Sequence, residues 1–248
     1  MLYEGHFVEG VLSTKAVVEA NKRQVDKILI AQKKHSRDIA YLIRIAKAKG
    51  IEIEFCEVED LLKYTDSKGH GGVLALVSER SYEAFDDLVQ KEKPFLALLE
   101  GIEDPFNFGY CLRSLYAAGC DGVIVGERNW SEVTNVVTKS SAGASEFINI
   151  YRSSDFTETI KDLQAKGIKM VAANRKDAGN LYTSELPEAI LLAIGGEKRG
   201  LSKAVAALAD QNIYIPYAND FKNAINGSSA TAIISFEIFR RRGNFNGK

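Results

Sequence analysis

Three stretches of this 248-residue chain combine glycine, asparagine and charged side chains in ways that can hold and act on a ligand. The first is GIEDPFNFGYCLRSLYAAG, residues 101–119. Asn107 stands six residues before Arg113 near what reads as a helix start. An arginine beside an asparagine and a strand end can reach a phosphate or another anion. Taken alone, Arg113 reads better as an exposed helical cation. The second stretch is IGGEKRGLS, 194–202. Gly195, Gly196 and Gly200 let backbone approach a ligand closely. Ser202 can cap a following helix. Glu197 would repel a pyrophosphate but suits a cationic or hydroxyl-bearing ligand. The spacing is neither GxGxxG nor GxxxxGK(S/T), so the dinucleotide and phosphate-loop fingerprints both fail. Alone, this loop is as much a tight turn as a site. The third stretch is KNAINGSSATAII, 222–234. Asn226 and Ser228 offer amide and hydroxyl groups, and Gly227 frees the chain at a sharp turn. From Ser228 a helix runs on to Arg240, Arg241 and Arg242, where cations complement the helix dipole.

Each stretch follows a segment that reads as a strand. FLALLE (95–100), GVIV (122–125), IKMVAA (168–173) and ILLAIG (190–195) are nearly continuous in hydrophobicity, which suits strands of a parallel sheet covered on both faces. Residues 213–216 read as a further buried strand. Phe108, Leu112, Leu115 and Tyr116 make the apolar stripe of the helix after 101–106. Asp155 and Glu158 form a capping-box pattern for a helix ending near Gly167. The alternation predicts a doubly wound α/β domain, whose ligands gather beyond the carboxyl ends of the strands. The first eighty residues form a separate small α/β unit. It has strands over 25–31, 51–56 and 72–77 and a helix after Ser36 that stops at Gly50. A charged, weakly patterned stretch, 81–93, reads as a linker with some helix within 81–90.

The totals narrow the class. A net charge of −1 excludes a strongly basic nucleic-acid binder, though not a local cationic patch. Lys33, Lys34 and Arg37 form one such cluster and Arg240–Arg242 another; each reads first as a solvated helix face. Three cysteines without CxxC spacing argue against a disulfide framework or zinc site, and Cys111 and Cys120 read as small buried hydrophobes. Three scattered histidines form no metal-ligand pattern, so no metal is expected. No apolar run reaches the roughly 18 residues of a membrane span, and MLYEGHFVEG lacks the features of a signal peptide. The expected setting is cytoplasmic and reducing, without membrane attachment.

Together the three stretches resemble the SpoU/TrmH family of RNA 2'-O-ribose methyltransferases. Its first motif, N-x-G-x-x-x-R with a following Gly, is matched by Asn107, Gly109, Arg113 and Gly119. Its second is matched by Ile194, Gly195, Glu197, Gly200 and Leu201. Its third, I-P-M followed by S-L-N-V-S, is matched in part by IPY, 215–217, and AINGS, 224–228. KSSAGA, 139–144, is similar to a segment between the first two motifs. The first unit, with HGGVLALV at 70–77, is similar to the ribosomal-protein-type substrate-binding domain that often precedes the catalytic one. The resemblance implies a small N-terminal α/β RNA-binding domain over 1–80, a linker over 81–93, and an α/β trefoil-knot methyltransferase domain over 94–248. It implies S-adenosylmethionine held by Gly195, Gly196, Glu197, Gly200, Leu201, Ile215, Pro216, Ala224, Ile225 and Ser228, with backbone contacts from Gly195, Ile215 and Ile225. Asn107, Arg113, Glu197 and Asn226 are the implied catalytic residues, and a homodimer completes the site. Ribosomal RNA is favoured as substrate over transfer RNA. Two departures stand out: Ala224 occupies the family's first Ser of S-L-N, and Tyr217 its Met. A catalytically inactive RNA-binding relative is the alternative that Ala224 supports. A nucleotide-dependent metabolic enzyme is a second, opposed by the missing phosphate fingerprints.

Overall fold

The computed structural model describes residues 5–127, 134–196 and 198–243. In chain order these form β1 (His6–Glu9), α1 (Val11–Ala20), β2 (Val25–Ala31), α2 (Arg37–Ala48), β3 (Glu52–Cys56), α3 (Val58–Leu61), β4 (Val73–Val77), α4 (Phe85–Leu88), β5 (Phe95–Glu100), α5 (Pro105–Ala117), β6 (Gly122–Gly126), α6 (Thr134–Ser140), α7 (Ala144–Phe147), β7 (Ile150–Ser153), α8 (Phe156–Ala165), β8 (Lys169–Ala173), β9 (Gly179–Asn180), β10 (Ile190–Gly195), α9 (Lys203–Ala206), β11 (Gln211–Tyr214) and α10 (Gly227–Arg242). They fall into two compact units: residues to 81 with 134–147, and 82–127 with those from 148 onward.

In the first unit a four-stranded sheet has the order β1-β4-β2-β3, with β2 and β3 parallel and β4 antiparallel to both its neighbours. The side chains of β2 alternate between two apolar layers. Ile28 and Ile30 join Val17, Leu42, Val73, Ala75 and Val77 on one face, while Leu29 meets Leu61 and Leu74 on the other. Ser36 caps α2 by accepting from the Ile39 amide at 3.1 Å. The helices α6 and α7 complete this unit, although their sequence lies within the stretch expected to belong to 94–248. Charged anchors explain the placement. Arg23 donates from Nε and Nη2 to the two carboxylate oxygens of Glu146 at 2.9 Å each, and the Glu146 side chain is wholly buried. Arg80 Nε donates to the Ser145 carbonyl at 3.1 Å, and Lys139 pairs with Glu9 at 2.8 Å.

The second unit is a seven-stranded sheet ordered β7-β6-β5-β10-β8-β11-β9, with every pairing parallel. Its inner strands are buried on both faces, as their unbroken hydrophobicity requires. One face packs Leu96, Leu98, Ile124, Met170 and Leu191 against Ile160 and Leu163 of α8. The stretch expected as a linker also contributes here: Leu88 is buried in this cluster and Phe85 meets Tyr151 edge-on at 5.8 Å. Asp155 accepts from the amides of Thr157 and Glu158 and so starts α8 where the capping pattern predicts. On α5, Phe108, Leu112 and Leu115 are buried, but Tyr116 is exposed and does not continue their stripe. Strand order reverses between β5 and β10, and a crevice beyond their carboxyl ends is where such a sheet receives ligands.

The three arginines that end α10 have defined partners. Arg240 and Arg241 pair with Glu237 at 2.7 Å. Arg241 also donates to the carbonyls of Leu181 and Ser184, and Arg242 to those of Lys93 and Pro94 at 3.2 and 3.1 Å. They tie the helix end to neighbouring loops. Lys33, Lys34 and Arg37 in the first unit are exposed, as a solvated or ligand-binding cluster must be.

Candidate active site

A cavity of about 620 Å³ opens beyond the ends of β8, β10 and β11. Its walls are Ala173–Arg175 after β8, Ile194–Gly196 with Gly200 after β10, Ile213–Ile215 with Tyr217 after β11, and Ala224–Gly227 at the start of α10. Ala230 and Ile234 of α10 form its floor.

The glycines of the second loop are there because nothing larger fits. A Cβ on Gly195 would lie 2.2 Å from the Gly200 carbonyl carbon and from the Leu201 nitrogen. One on Gly196 would lie 1.9 Å from the Gly101 carbonyl oxygen, so the ends of β10 and β5 touch backbone to backbone. Gly200 closes the turn at φ 64°, and its amide donates to the Gly196 carbonyl at 2.8 Å. The Ser202 amide donates to the Glu100 carboxylate at 2.8 Å, pinning the loop's far end to β5. Glu197 lies outside the described residues.

The third loop turns into α10 at Asn226, whose side-chain oxygen accepts from the Ser229 amide at 2.8 Å and from the Ser228 hydroxyl at 3.2 Å. Thus Asn226 is the N-cap of the helix as well as a wall of the cavity. Ser228 is buried and faces α5, with its Oγ 3.5 Å from Asn107 Oδ1, the outer limit for a hydrogen bond. One turn further on, Cys111 Sγ meets Thr231 Oγ1 at 3.5 Å, so α5 and α10 are matched along their length. Asn107 sits in the first turn of α5, above Asp104, which caps that helix by accepting from the Asn107 amide at 2.8 Å. Arg113 is exposed on the same helix, with no ion pair to any described residue.

Seven of the residues expected at a cofactor or catalytic position line the cavity: Gly195, Gly196, Gly200, Ile215, Ala224, Ile225 and Asn226. Leu201 packs against the apolar cluster beneath the sheet, Ser228 faces α5, and Pro216 lies between two lining residues without lining the cavity itself. The Ile225 amide already donates to the Tyr217 hydroxyl at 3.1 Å. The group Ile225 can offer a ligand is therefore its carbonyl. Sequence reasoning missed Ala173, Asn174 and Arg175. The strand over 168–173 was legible, and the strand-end rule points to the residues after it.

The cavity suits a nucleoside-sized ligand with apolar flat parts and few polar contacts. Its volume is in the range of small-molecule sites. Ile194, Ile213, Ile215, Ile225 and Ile234 supply apolar surface, glycine backbone gives close approach, and Asn174, Asn226 and Tyr217 supply polar edges. S-adenosylmethionine fits that description.

Comparison with known proteins agrees. The model of the SpoU rRNA Methylase family matches residues 94–236, and that of the RNA 2'-O ribose methyltransferase substrate-binding domain matches 7–83. The chain belongs to the SpoU rRNA methylase family. It is an S-adenosylmethionine-dependent RNA ribose 2'-O-methyltransferase by that membership. It is 31% identical over 94% of its length, and 96% of the relative's, to the 23S rRNA (guanosine-2'-O-)-methyltransferase RlmB of Shewanella oneidensis. To the protein of the same name from Salmonella typhimurium it is 29% identical, over 95% of this chain and 98% of that one. Among solved structures, the SpoU methyltransferase AviRb from Streptomyces viridochromogenes in complex with AdoMet superposes with a TM-score of 0.81 at 23% identity, over 96% of this chain and 90% of that one. The AdoMet-bound rRNA methyltransferase from Sinorhizobium meliloti gives 0.79 at 20%, over 95% and 87%. At those identities the two structures share the fold.

Proposed function

We propose that this enzyme methylates the ribose 2'-hydroxyl of a guanosine in 23S ribosomal RNA. The observation that carries the reading is the junction of Asn107, Ser228 and Asn226. Through it the first turn of α5 meets the cavity wall, so a group bound beside α5 lies next to whatever the cavity holds. The names of the two relatives supply the RNA and the nucleoside.

Bound S-adenosylmethionine supplies an electrophilic methyl group. The chain's own residues do the rest by position, which carries much of the acceleration in such a transfer. Gly195, Gly196 and Gly200 form a backbone wall, and Asn226 fixes the opposite wall by capping α10. Arg113 is always protonated, so it does not take the proton of the 2'-hydroxyl. It stabilises the developing alkoxide or anchors the adjacent phosphate. Asn107 orients the nucleotide, and Glu197 acts with Asn226 at the loop.

Residues 1–80 bind RNA, consistent with the exposed Lys33, Lys34 and Arg37. The segment after β10 passes back through the chain as a trefoil knot. In support, Gly227 at the start of α10 lies against Ile102, after β5, and near the Gly195 carbonyl. The enzyme is a homodimer working in the cytoplasm. Phe106 and Tyr110 of α5 and Phe236 of α10 are exposed as an interface would need, and no helix of the described residues is long and apolar enough to cross a membrane.

The test is to map ribose methylation across ribosomal RNA from cells with and without the gene. One guanosine of 23S RNA losing its 2'-O-methyl group supports the proposal. An unchanged map, with cofactor binding intact, moves the protein to the inactive RNA-binding class that Ala224 favours.

A further inference from the structure

The wall of the cavity nearest α10 is held by a bare segment. Residues 218–224 are all exposed, and they belong to no helix or strand. A loop of this kind loses considerable conformational entropy when it is fixed in one shape. Tyr217 and Ile225 sit at its two ends and are half-buried. They are joined directly: the Ile225 amide donates to the Tyr217 hydroxyl at 3.1 Å, across the base of the loop.

Arg175, from the loop after β8, closes the same segment from outside. Its guanidinium carbon stands 4.8 Å from the centre of the Tyr217 ring. Nη1 and Nη2 donate to the carbonyls of Lys222 and Asn223 at 3.0 and 2.9 Å. The Phe221 ring lies 5.9 Å from that of Tyr217. A planar guanidinium can stack on an aromatic ring and reach two carbonyls at once; an ammonium cannot. The Ile225 amide foremost, and then Arg175, pull the pKa of the Tyr217 phenol below its ordinary value, as donors converging on its oxygen should.

We propose that Tyr217 and Arg175 form a clamp that sets the closed shape of the 218–225 loop and thereby the enzyme's affinity for S-adenosylmethionine. Both residues line the cavity. The clamp residues are positioning residues. They act through Ala224, Ile225 and Asn226, the part of the cavity wall that the loop delivers. The proposal rests on the cavity being the cofactor site.

The experiment uses the full chain and two variants. Tyr217→Phe keeps the ring and removes the acceptor. Arg175→Lys keeps the charge and removes the stacked fork. Hydrogen exchange of the Ile225 amide is followed without ligand, and S-adenosylmethionine affinity is measured by calorimetry. We expect Ile225 exchange to rise about tenfold in Tyr217→Phe, the loss of about one hydrogen bond. The cofactor dissociation constant should rise by about five- to tenfold in both variants. A lower thermal midpoint with wild-type exchange and affinity would show a purely structural role and overturn the clamp, so thermal midpoints are recorded in parallel. Wild-type exchange and affinity in both variants would overturn the clamp while leaving the cofactor site in place. Failure of the wild-type chain to bind the cofactor would overturn the site and the clamp together.

Discussion

Ser228 Oγ lies 3.5 Å from Asn107 Oδ1 and 3.2 Å from Asn226 Oδ1, so a single buried hydroxyl stands between α5 and the start of α10, which borders the cavity. The start of α10 thus serves folding and function with the same atoms. Asn226→Ala removes the acceptor for the Ser229 amide and should cost about 1 kcal/mol of stability. Asn226→Asp keeps the cap and should retain that stability. Both should lose methyl transfer if the amide's donor side matters to the substrate. Urea unfolding with parallel activity assays separates the two effects. Equal activity in Asn226→Asp and wild type would restrict Asn226 to its capping role.

The glycines differ in what confines them, and this gives a paired test. Gly195→Ala puts a Cβ 2.2 Å from two backbone atoms of the facing loop, so we expect about 1–3 kcal/mol of destabilisation and lost cofactor binding. Gly119→Ala meets nothing within 4 Å and strains only a φ of 78°, about 1–2 kcal/mol. It should still bind cofactor. Calorimetric titration of both variants checks this; normal binding by Gly195→Ala would show that the loop can yield.

Glu146 is a buried carboxylate paired with Arg23 through two hydrogen bonds. Glu146→Ala strands the guanidinium in the interior, and about 3–5 kcal/mol should be lost. Replacing both partners together, Glu146→Leu with Arg23→Met, should recover most of it. Denaturant unfolding of the single and double variants decides the matter, and equal losses in both would mean that the charges are not what holds α7.

Glu237 provides a pH signature. Arg240 foremost, and then Arg241, hold its carboxyl down to about 2 from the ordinary 4.5, against the opposing effect of burial. The folded value is the lower one, so its contribution is complete above about pH 4.5 and is lost as pH falls toward 2. Wild type should therefore lose stability more steeply than Glu237→Gln across that interval. Parallel slopes in urea titrations at several pH values would remove Glu237 from the acid response.

Much of this molecule was legible in residue order, for identifiable reasons. The strands β5, β6, β8 and β10 are covered on both faces, and continuous hydrophobicity marked them. Ser36 and Asp155 announced α2 and α8 by the chemistry of their caps. The strand β7, IYRS, escaped notice because it is a short edge strand with an exposed Arg152. The attachment of α6 and α7 to the first unit was hidden as well, since the Arg23–Glu146 pair joins residues 123 positions apart. At the site, glycines forced by backbone contact were readable from spacing. Arg175 was not, because what gives it a role is a tyrosine and two carbonyls brought to it by the fold.

The most direct test of the whole is transfer of labelled methyl from S-adenosylmethionine to unmodified ribosomal RNA, with Arg113→Ala alongside. We expect label in alkali-resistant dinucleotides, the mark of a blocked 2'-hydroxyl. Arg113→Ala should reduce turnover by about 10²–10³ while binding the cofactor normally, because Arg113 is not among the residues lining the cavity. Label in alkali-labile nucleotides, or none at all from a chain that binds cofactor and RNA, would contradict ribose methylation as this enzyme's reaction.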